Sequence, residues 1–121
     1  MKILITGVTG FVGSHLAEYC LKISGVQVFG TMLSHHLGDE LKRVEHIRND
    51  ITLFECNLQN RVSVQRVIEK VRPDKIFHLA AQSFVPVSWQ SAEDTLMNNI
   101  LSQLNIFVPH GSEPVTSRER I

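Results

Sequence analysis

The sequence has no surplus of charge. Its 12 Lys and Arg balance 12 Asp and Glu, for a formal net charge of zero. Nothing in that balance favours a nucleic acid or an anionic membrane as partner. Cysteine is scarce: Cys20 and Cys56 are the only two, far apart and without metal-ligand spacing. A disulfide framework is therefore not expected, and buried thiols in a reducing compartment are. No apolar run approaches the length of a membrane span. The run after Lys2 is also too short for the core of a signal peptide, so the expected location is cytoplasmic. His15, His35, His36, His46, His78 and His110 share no metal spacing on one element, so no metal site is expected. No lysine follows a glycine in the phosphate-loop pattern, and no serine sits in a G-x-S-x-G elbow. Triphosphatase and serine-hydrolase chemistry are thereby disfavoured.

The 121 residues, 43% hydrophobic and 20% charged, suit one soluble domain with a real core. Residues 2–6 (KILIT) form a short apolar run before a glycine, read as a buried strand. From Val12 the apolar positions Val12, Leu16, Tyr19, Cys20 and Ile23 keep helical spacing, with Tyr19 on the inner face and Gly25 closing the helix. Residues 26–31 (VQVFGT) alternate as a second strand. A short helix is expected around residues 40–46, and residues 51–56 (ITLFEC) form a third strand. Asn60 can cap a helix whose apolar face is Val64, Val67, Ile68 and Val71, and Arg72-Pro73 ends it. Residues 75–81 (KIFHLAA) read as a fourth strand. Ser91 and Asp94 resemble a capping box for a helix lined by Leu96, Ile100, Leu104 and Phe107. Residues 108–121 lose all periodicity and read as a flexible tail.

This alternation implies parallel strands joined by crossovers, with helices on both faces. The expected fold class is α/β, a Rossmann-type doubly wound parallel sheet of about four strands in the order 3-2-1-4. Within it, Gly7, Gly10 and Gly13 are spaced G-x-x-G-x-x-G between a strand and a helix. Gly7 would allow the sharp turn, Gly10 the approach of a pyrophosphate, and Gly13 close packing of helix on strand. The helix end would then offer N–H groups to the phosphates. A ribose-binding carboxylate is expected at the end of the second strand in NAD enzymes. That place holds Thr31 and Met32, and Asp39 and Glu40 come too late. The missing acid favours NADP, with NAD as the alternative, although no arginine stands beside it. His35 and His36 read as loop residues.

At this point "TGVTGFVGSHL" resembles the extended short-chain dehydrogenase/reductase superfamily of NAD(P)-dependent epimerases and dehydratases. "HLAAQSFVPVSW" (78–89) and "TLMNNILSQLNIF" (95–107) are similar to its GDP-mannose 4,6-dehydratase and GDP-4-keto-6-deoxymannose reductase branch. The resemblance spans residues 1 to about 107 and corresponds to the N-terminal part of that family. By this resemblance Gly7, Thr9, Gly10, Phe11, Val12 and Gly13 form the pyrophosphate loop, and Thr31 stands near the adenine ribose. Asn57 and Leu58 flank the adenine, where the family has Asp-Leu. Leu79, Ala80 and Ala81 lie under the nicotinamide ribose, and Asn99 shapes that region. Gln82 and Ser83 border the sugar substrate. Ser102 replaces a common glycine. His78 is read as a packed strand histidine, Trp89 as a cap over the loop and His15 as an exposed helix residue.

The family's chemistry needs a Tyr-x-x-x-Lys pair, in which lysine lowers the tyrosine pKa and tyrosine moves the proton. The chain's one tyrosine, Tyr19, is followed four residues later by Ile23. No catalytic residue is therefore assigned. The expectation is a cofactor-binding portion of a sugar-nucleotide enzyme, inactive alone, with GDP-sugar as partner only if the rest is supplied. Its open fourth strand would invite self-association. A non-catalytic dinucleotide-binding module, a partner subunit and a gene remnant stand as alternatives.

Overall fold

The computed structural model describes residues 1–33, 41–80 and 104–106. Four strands form one parallel sheet: β1 (Lys2–Thr6), β2 (Gln27–Met32), β3 (Ile51–Glu55) and β4 (Lys75–His78), in the order β3-β2-β1-β4. Helix α1 (Phe11–Leu21) follows β1, and helix α2 (Arg61–Val71) follows β3. This is the expected 3-2-1-4 order. β1 has a neighbour on each side, and its residues Ile3 to Thr6 are all buried. A strand covered on both faces reads as a continuous apolar run rather than an alternation, which is why KILIT looks as it does.

Each face of the sheet carries its own core. On one face Ile3, Ile5, Val28 and Ile51 pack with Ala17 and Cys20 of α1 and with Val44 and Ile47. On the other, Leu4 and Ile76 pack with Val64, Val67, Ile68 and Val71 of α2 and with Ile106. Both cysteines are free and buried, as expected.

The α2 helix follows its sequence signals. Asn60 Oδ1 accepts from Ser63 N at 3.1 Å, and the four predicted apolar residues are its buried face. Arg72 leaves the helix in the left-handed region (φ 49°), with its N–H on Ile68 O at 2.8 Å, just ahead of Pro73.

The α1 helix differs from its expected face. Its buried residues are Gly13, Ser14, Ala17 and Cys20. Val12, Ile23 and Tyr19 point outward, Tyr19 being 64% exposed. The cause is distance. A Cβ on Gly13 would lie 2.2 Å from Gly7 O and 2.9 Å from Val8 Cα. At that separation only small side chains fit directly beneath the helix, so Val12 and Tyr19 turn outward while Leu16 and Leu21 pack half-buried at the edge of the core. Ser14 is tolerated there because its hydroxyl bonds Phe11 O at 3.0 Å. The helix ends at Leu21 rather than running on toward Gly25, which adopts φ 79° in the following turn. His15 is exposed as expected.

Three further boundaries shift. Of the helix expected around residues 40–46, Leu41 is helical and a 3-10 turn covers Glu45–Ile47, bonded Ile47 N to Val44 O at 3.0 Å. A three-residue repeat aligns Val44 and Ile47 on one side, and both enter the core. β4 ends at His78, with Leu79 N still reaching Thr6 O and Ala80 beyond the ladder. Among the described residues of the last helix, Ile106 is buried while Leu104 is 51% exposed, against the expected face. Asn105 Nδ2 donates to Leu58 O at 2.7 Å, which ties residues 104–106 to the end of β3. The expectations for residues 34–40, 81–103 and 107–121 lie outside the described residues. They include Ala81, Gln82, Ser83, Trp89 and Asn99, the capping box at Ser91 and the tail from 108.

Two substitutions test this packing. Asn60→Ala should lower unfolding stability by about 1 kcal/mol in chemical denaturation, through loss of the α2 cap. Gly30 lies under Val8: a Cβ there would meet Val8 Cγ1 at 2.4 Å. Gly30→Ala should therefore cost about 1–3 kcal/mol by overpacking. The cost should be smaller in a Val8→Ala background, where the clashing methyls are gone. Equal costs in both backgrounds would show that Val8 is not the obstacle.

Candidate functional site

The carboxyl ends of the four strands meet at one cleft of about 430 Å³. β1 contributes the glycine turn. Gly7 adopts φ 68°, a conformation L side chains rarely take, and a Cβ there would lie 2.9 Å from Ala80 Cα. The turn closes with Gly10 N on Gly7 O at 3.0 Å, and α1 begins with Ser14 N on Gly10 O at 2.9 Å. Val8, wholly buried, bonds Thr31 O through its N–H at 3.3 Å, which ties the turn to β2. Arg43 Nη1 donates to Thr9 O at 3.2 Å and holds the turn from the β2–β3 side.

Gly10 is the N-cap of α1, extended at φ −72° and ψ 170°. It makes no side-chain capping bond, and the first turn contains no acidic residue. The first N–H groups of an α-helix have no partner within it, and together with the helix dipole they attract an anion. Here that end opens on the cleft, with Phe11 and Val12 exposed at its mouth.

Most of the cofactor residues expected from the sequence come together here. Gly7, Thr9, Gly10, Phe11, Val12, Gly13, Thr31, Asn57, Leu58, Leu79 and Ala80 all line the cleft. Ala81, Asn99, Gln82 and Ser83 lie outside the described residues. Met32, read from the sequence beside Thr31 at the ribose end of the second strand, lines the cleft too, and three lining residues were missed: Leu33, Cys56 and Gln59. Met32 and Leu33 enter because β2 runs one residue further than its alternation suggested. Cys56 and Gln59 flank the Asn57-Leu58 pair that was recognised.

Chemistry at the rim is mostly neutral. Asn57 Oδ1 accepts from Gln59 N at 3.1 Å, so that oxygen already holds the turn after β3. Its amide group remains the donor side. Met32 is buried and Leu33 exposed, so the end of β2 carries no carboxylate. Burial raises the Cys56 thiol, against a smaller lowering by the Ser63 hydroxyl 3.5 Å away. A thiol so placed is not a ready nucleophile. Tyr19 does not line the cleft.

On the β4 side, Thr6 is almost fully buried and bonded three ways. Its Oγ1 lies 2.7 Å from His78 Nδ1 and accepts from Leu79 N at 3.0 Å and Ala80 N at 3.2 Å. Leu79 N also reaches Thr6 O at 3.3 Å, a shared bond that carries the ladder one step beyond β4. Burial lowers the His78 pKa. The histidine read as a packed strand residue is half-buried and engaged through Nδ1.

Comparison with known proteins agrees with this geometry. The family model described as GDP-mannose 4,6 dehydratase matches residues 4–109. A GDP-mannose 4,6-dehydratase of Vibrio cholerae is 34% identical over 99 residues, covering 78% of this chain and 27% of that protein. A probable dTDP-glucose 4,6-dehydratase of Sinorhizobium fredii is 34% identical over 102 residues, covering 83% of this chain and 29% of the relative. The UDP-glucose 4-epimerase of Thermus thermophilus, solved in complex with NAD, superposes with a TM-score of 0.75 at 29% identity, over 88% of this chain and 32% of that one. The chain thus spans less than a third of the length of these relatives. Among the described residues no helix is long and apolar enough to cross a membrane. With the glycine turn, the parallel 3-2-1-4 sheet and a match over residues 4–109, the chain belongs to the GDP-mannose 4,6 dehydratase family, within the extended short-chain dehydrogenases/reductases.

Proposed function

We propose that the cleft binds a pyrophosphate-linked dinucleotide, NADP by preference and NAD as the alternative. We propose further that the chain is the cofactor-binding portion of an enzyme acting on a nucleotide sugar of the GDP-mannose class. The observation that carries this reading is the bare N-terminus of α1, capped by Gly10 and opening on the cleft.

The residues present fit such a cofactor. The backbone turn from Gly7 to Gly13 offers N–H groups to the pyrophosphate, with no Cβ on Gly10 to hold it off. Thr9 belongs to that turn, Thr31 flanks the adenine ribose, and Asn57 and Leu58 flank the adenine. Leu79 and Ala80, and by family resemblance Ala81, lie under the nicotinamide ribose; by the same resemblance Asn99 shapes that region, and Gln82 and Ser83 border the sugar. When bound, such a cofactor supplies reversible hydride transfer at its nicotinamide. The chain's own residues bind and orient it. The proton-moving tyrosine of the family has no counterpart here, since Tyr19 stands on the outer face of α1. We therefore expect no turnover of GDP-mannose by this chain alone.

The preference for NADP rests on Met32 and Leu33: a carboxylate beside the ribose would repel a 2′-phosphate, and neither residue carries one. NAD stays the alternative because the Thermus thermophilus epimerase was solved with NAD.

Calorimetric titration of the full chain should show NADPH binding, and binding more tightly than NADH. Failure of both to bind would overturn the reading, and tighter NADH binding would reverse the cofactor preference. Gly10→Asp separates binding from folding. Its backbone already has the extended conformation of an N-cap, and a carboxylate there would cap α1. The new Cβ would lie 3.2 Å from Gly7 O, close enough to need a small adjustment. Stability should stay within about 1 kcal/mol of the unchanged chain. Dinucleotide affinity should fall more than about tenfold, because the carboxylate takes the amides and repels the phosphates.

A further inference from the structure

Thr6 Oγ1 has three neighbours: His78 Nδ1 at 2.7 Å, Leu79 N at 3.0 Å and Ala80 N at 3.2 Å. A hydroxyl has two lone pairs and one proton to give. The two backbone N–H groups can only donate, so they occupy both lone pairs. The hydroxyl proton then has one destination, His78 Nδ1, which must be bare. The ring proton therefore sits on Nε2. Burial of His78 lowers its pKa, which agrees with a neutral ring. Thr6 is 1% exposed, so solvent offers its hydroxyl no alternative acceptor.

The two amides held this way belong to Leu79 and Ala80, which line the cleft. Ala80 Cα also faces Gly7, where there is no room for a side chain. We infer that His78 is a positioning residue for the cleft. Its Nδ1 takes the Thr6 proton, which turns both Thr6 lone pairs toward the Leu79 and Ala80 amides and holds that backbone against the glycine turn. Without an acceptor at Nδ1 the hydroxyl would no longer be held toward both amides, leaving Ala80 N without this acceptor or Leu79 N with Thr6 O alone. The effect on binding rests on the dinucleotide reading of the cleft, whereas the relay itself does not.

The full chain, labelled with nitrogen-15, tests both parts. Long-range proton–nitrogen spectra should show His78 as the Nε2–H tautomer at neutral pH, with slowly exchanging amides at Leu79 and Ala80. His78→Asn places an amide oxygen near the position of Nδ1 and keeps the acceptor, whereas His78→Leu removes it. NADPH affinity should fall about three- to tenfold in His78→Leu and stay within about twofold in His78→Asn. Thr6→Ser should behave like His78→Asn, and Thr6→Val like His78→Leu. The Thr6→Val, His78→Leu double variant should bind no worse than Thr6→Val alone, since both break one relay. An Nδ1–H tautomer would overturn the inference. So would equal losses in His78→Asn and His78→Leu, which would reduce His78 to packing. If the unchanged chain binds no dinucleotide, the cleft reading falls. The relay then stands or falls on the tautomer and on whether amide protection is lost in His78→Leu and kept in His78→Asn.

Discussion

The closeness of α1 to the sheet governs the rest of the structure. A methyl group on Gly13 would stand 2.2 Å from Gly7 O, well inside any allowed contact. Only a chain with glycine at both places can bring a helix start over the end of β1 at that distance. The small buried face of α1 follows from this, as does the outward turn of Tyr19 and Val12. The positive φ of Gly7 follows as well, and it sends the chain across Ala80 instead of away from the sheet. The same turn thus sets the height of the helix end and the position of the β4 end.

The strand order makes a cleft from that closeness. β1 and β4 are neighbours, yet the chain leaves β1 toward β2 and reaches β4 only after β3. The connections diverge to opposite faces of the sheet, where α1 and α2 build separate cores. Between them the carboxyl ends of the strands are left open, which is where doubly wound sheets bind ligands. Every strand contributes to the rim: Gly7 after β1, Met32 and Leu33 at β2, Asn57 after β3, and Leu79 and Ala80 after β4. The rim is held by short ties, among them Arg43 on Thr9 O, Asn105 on Leu58 O and Thr6 on the Leu79 and Ala80 amides.

The strands, the α2 face and the Asn60 cap were legible in the sequence because each rests on local signals: apolar runs, helical spacing and a capping side chain; the strand order followed from their alternation and the crossover rule. The glycine turn was legible for the same reason, since its spacing carries the geometry. The α1 face was not. Spacing of large apolar residues assumes that the helix sits at ordinary distance from its neighbour, and here Gly13, Ser14 and Ala17 are the contact. Gly30 was also silent, because its role depends on Val8, 22 positions away and packed against it. The Thr6–His78 bond joins residues 72 apart and appears only once β1 and β4 pair in register. Met32 and Leu33 reached the cleft through one extra residue of β2, a boundary that alternation does not resolve.

The two helices form a comparison within one chain. Both have 11 residues, and both follow a strand of the same sheet. α2 begins with Asn60, whose side chain takes up the Ser63 N–H, and so its first turn is closed by its own sequence. α1 begins with a glycine that can offer no such bond. Glycine is a tolerable N-cap, and serine, asparagine or aspartate at Gly10 would gain the helix only a few tenths of a kcal/mol, roughly 0.3. The backbone there is already extended, so conformation does not forbid those residues. Folding alone would therefore favour a capped α1. What a side chain at Gly10 would take away is the set of N–H groups facing the cleft and the space in front of them. An α1 end without a side-chain cap, beside an α2 end that has one, is the arrangement that the proposed dinucleotide site requires.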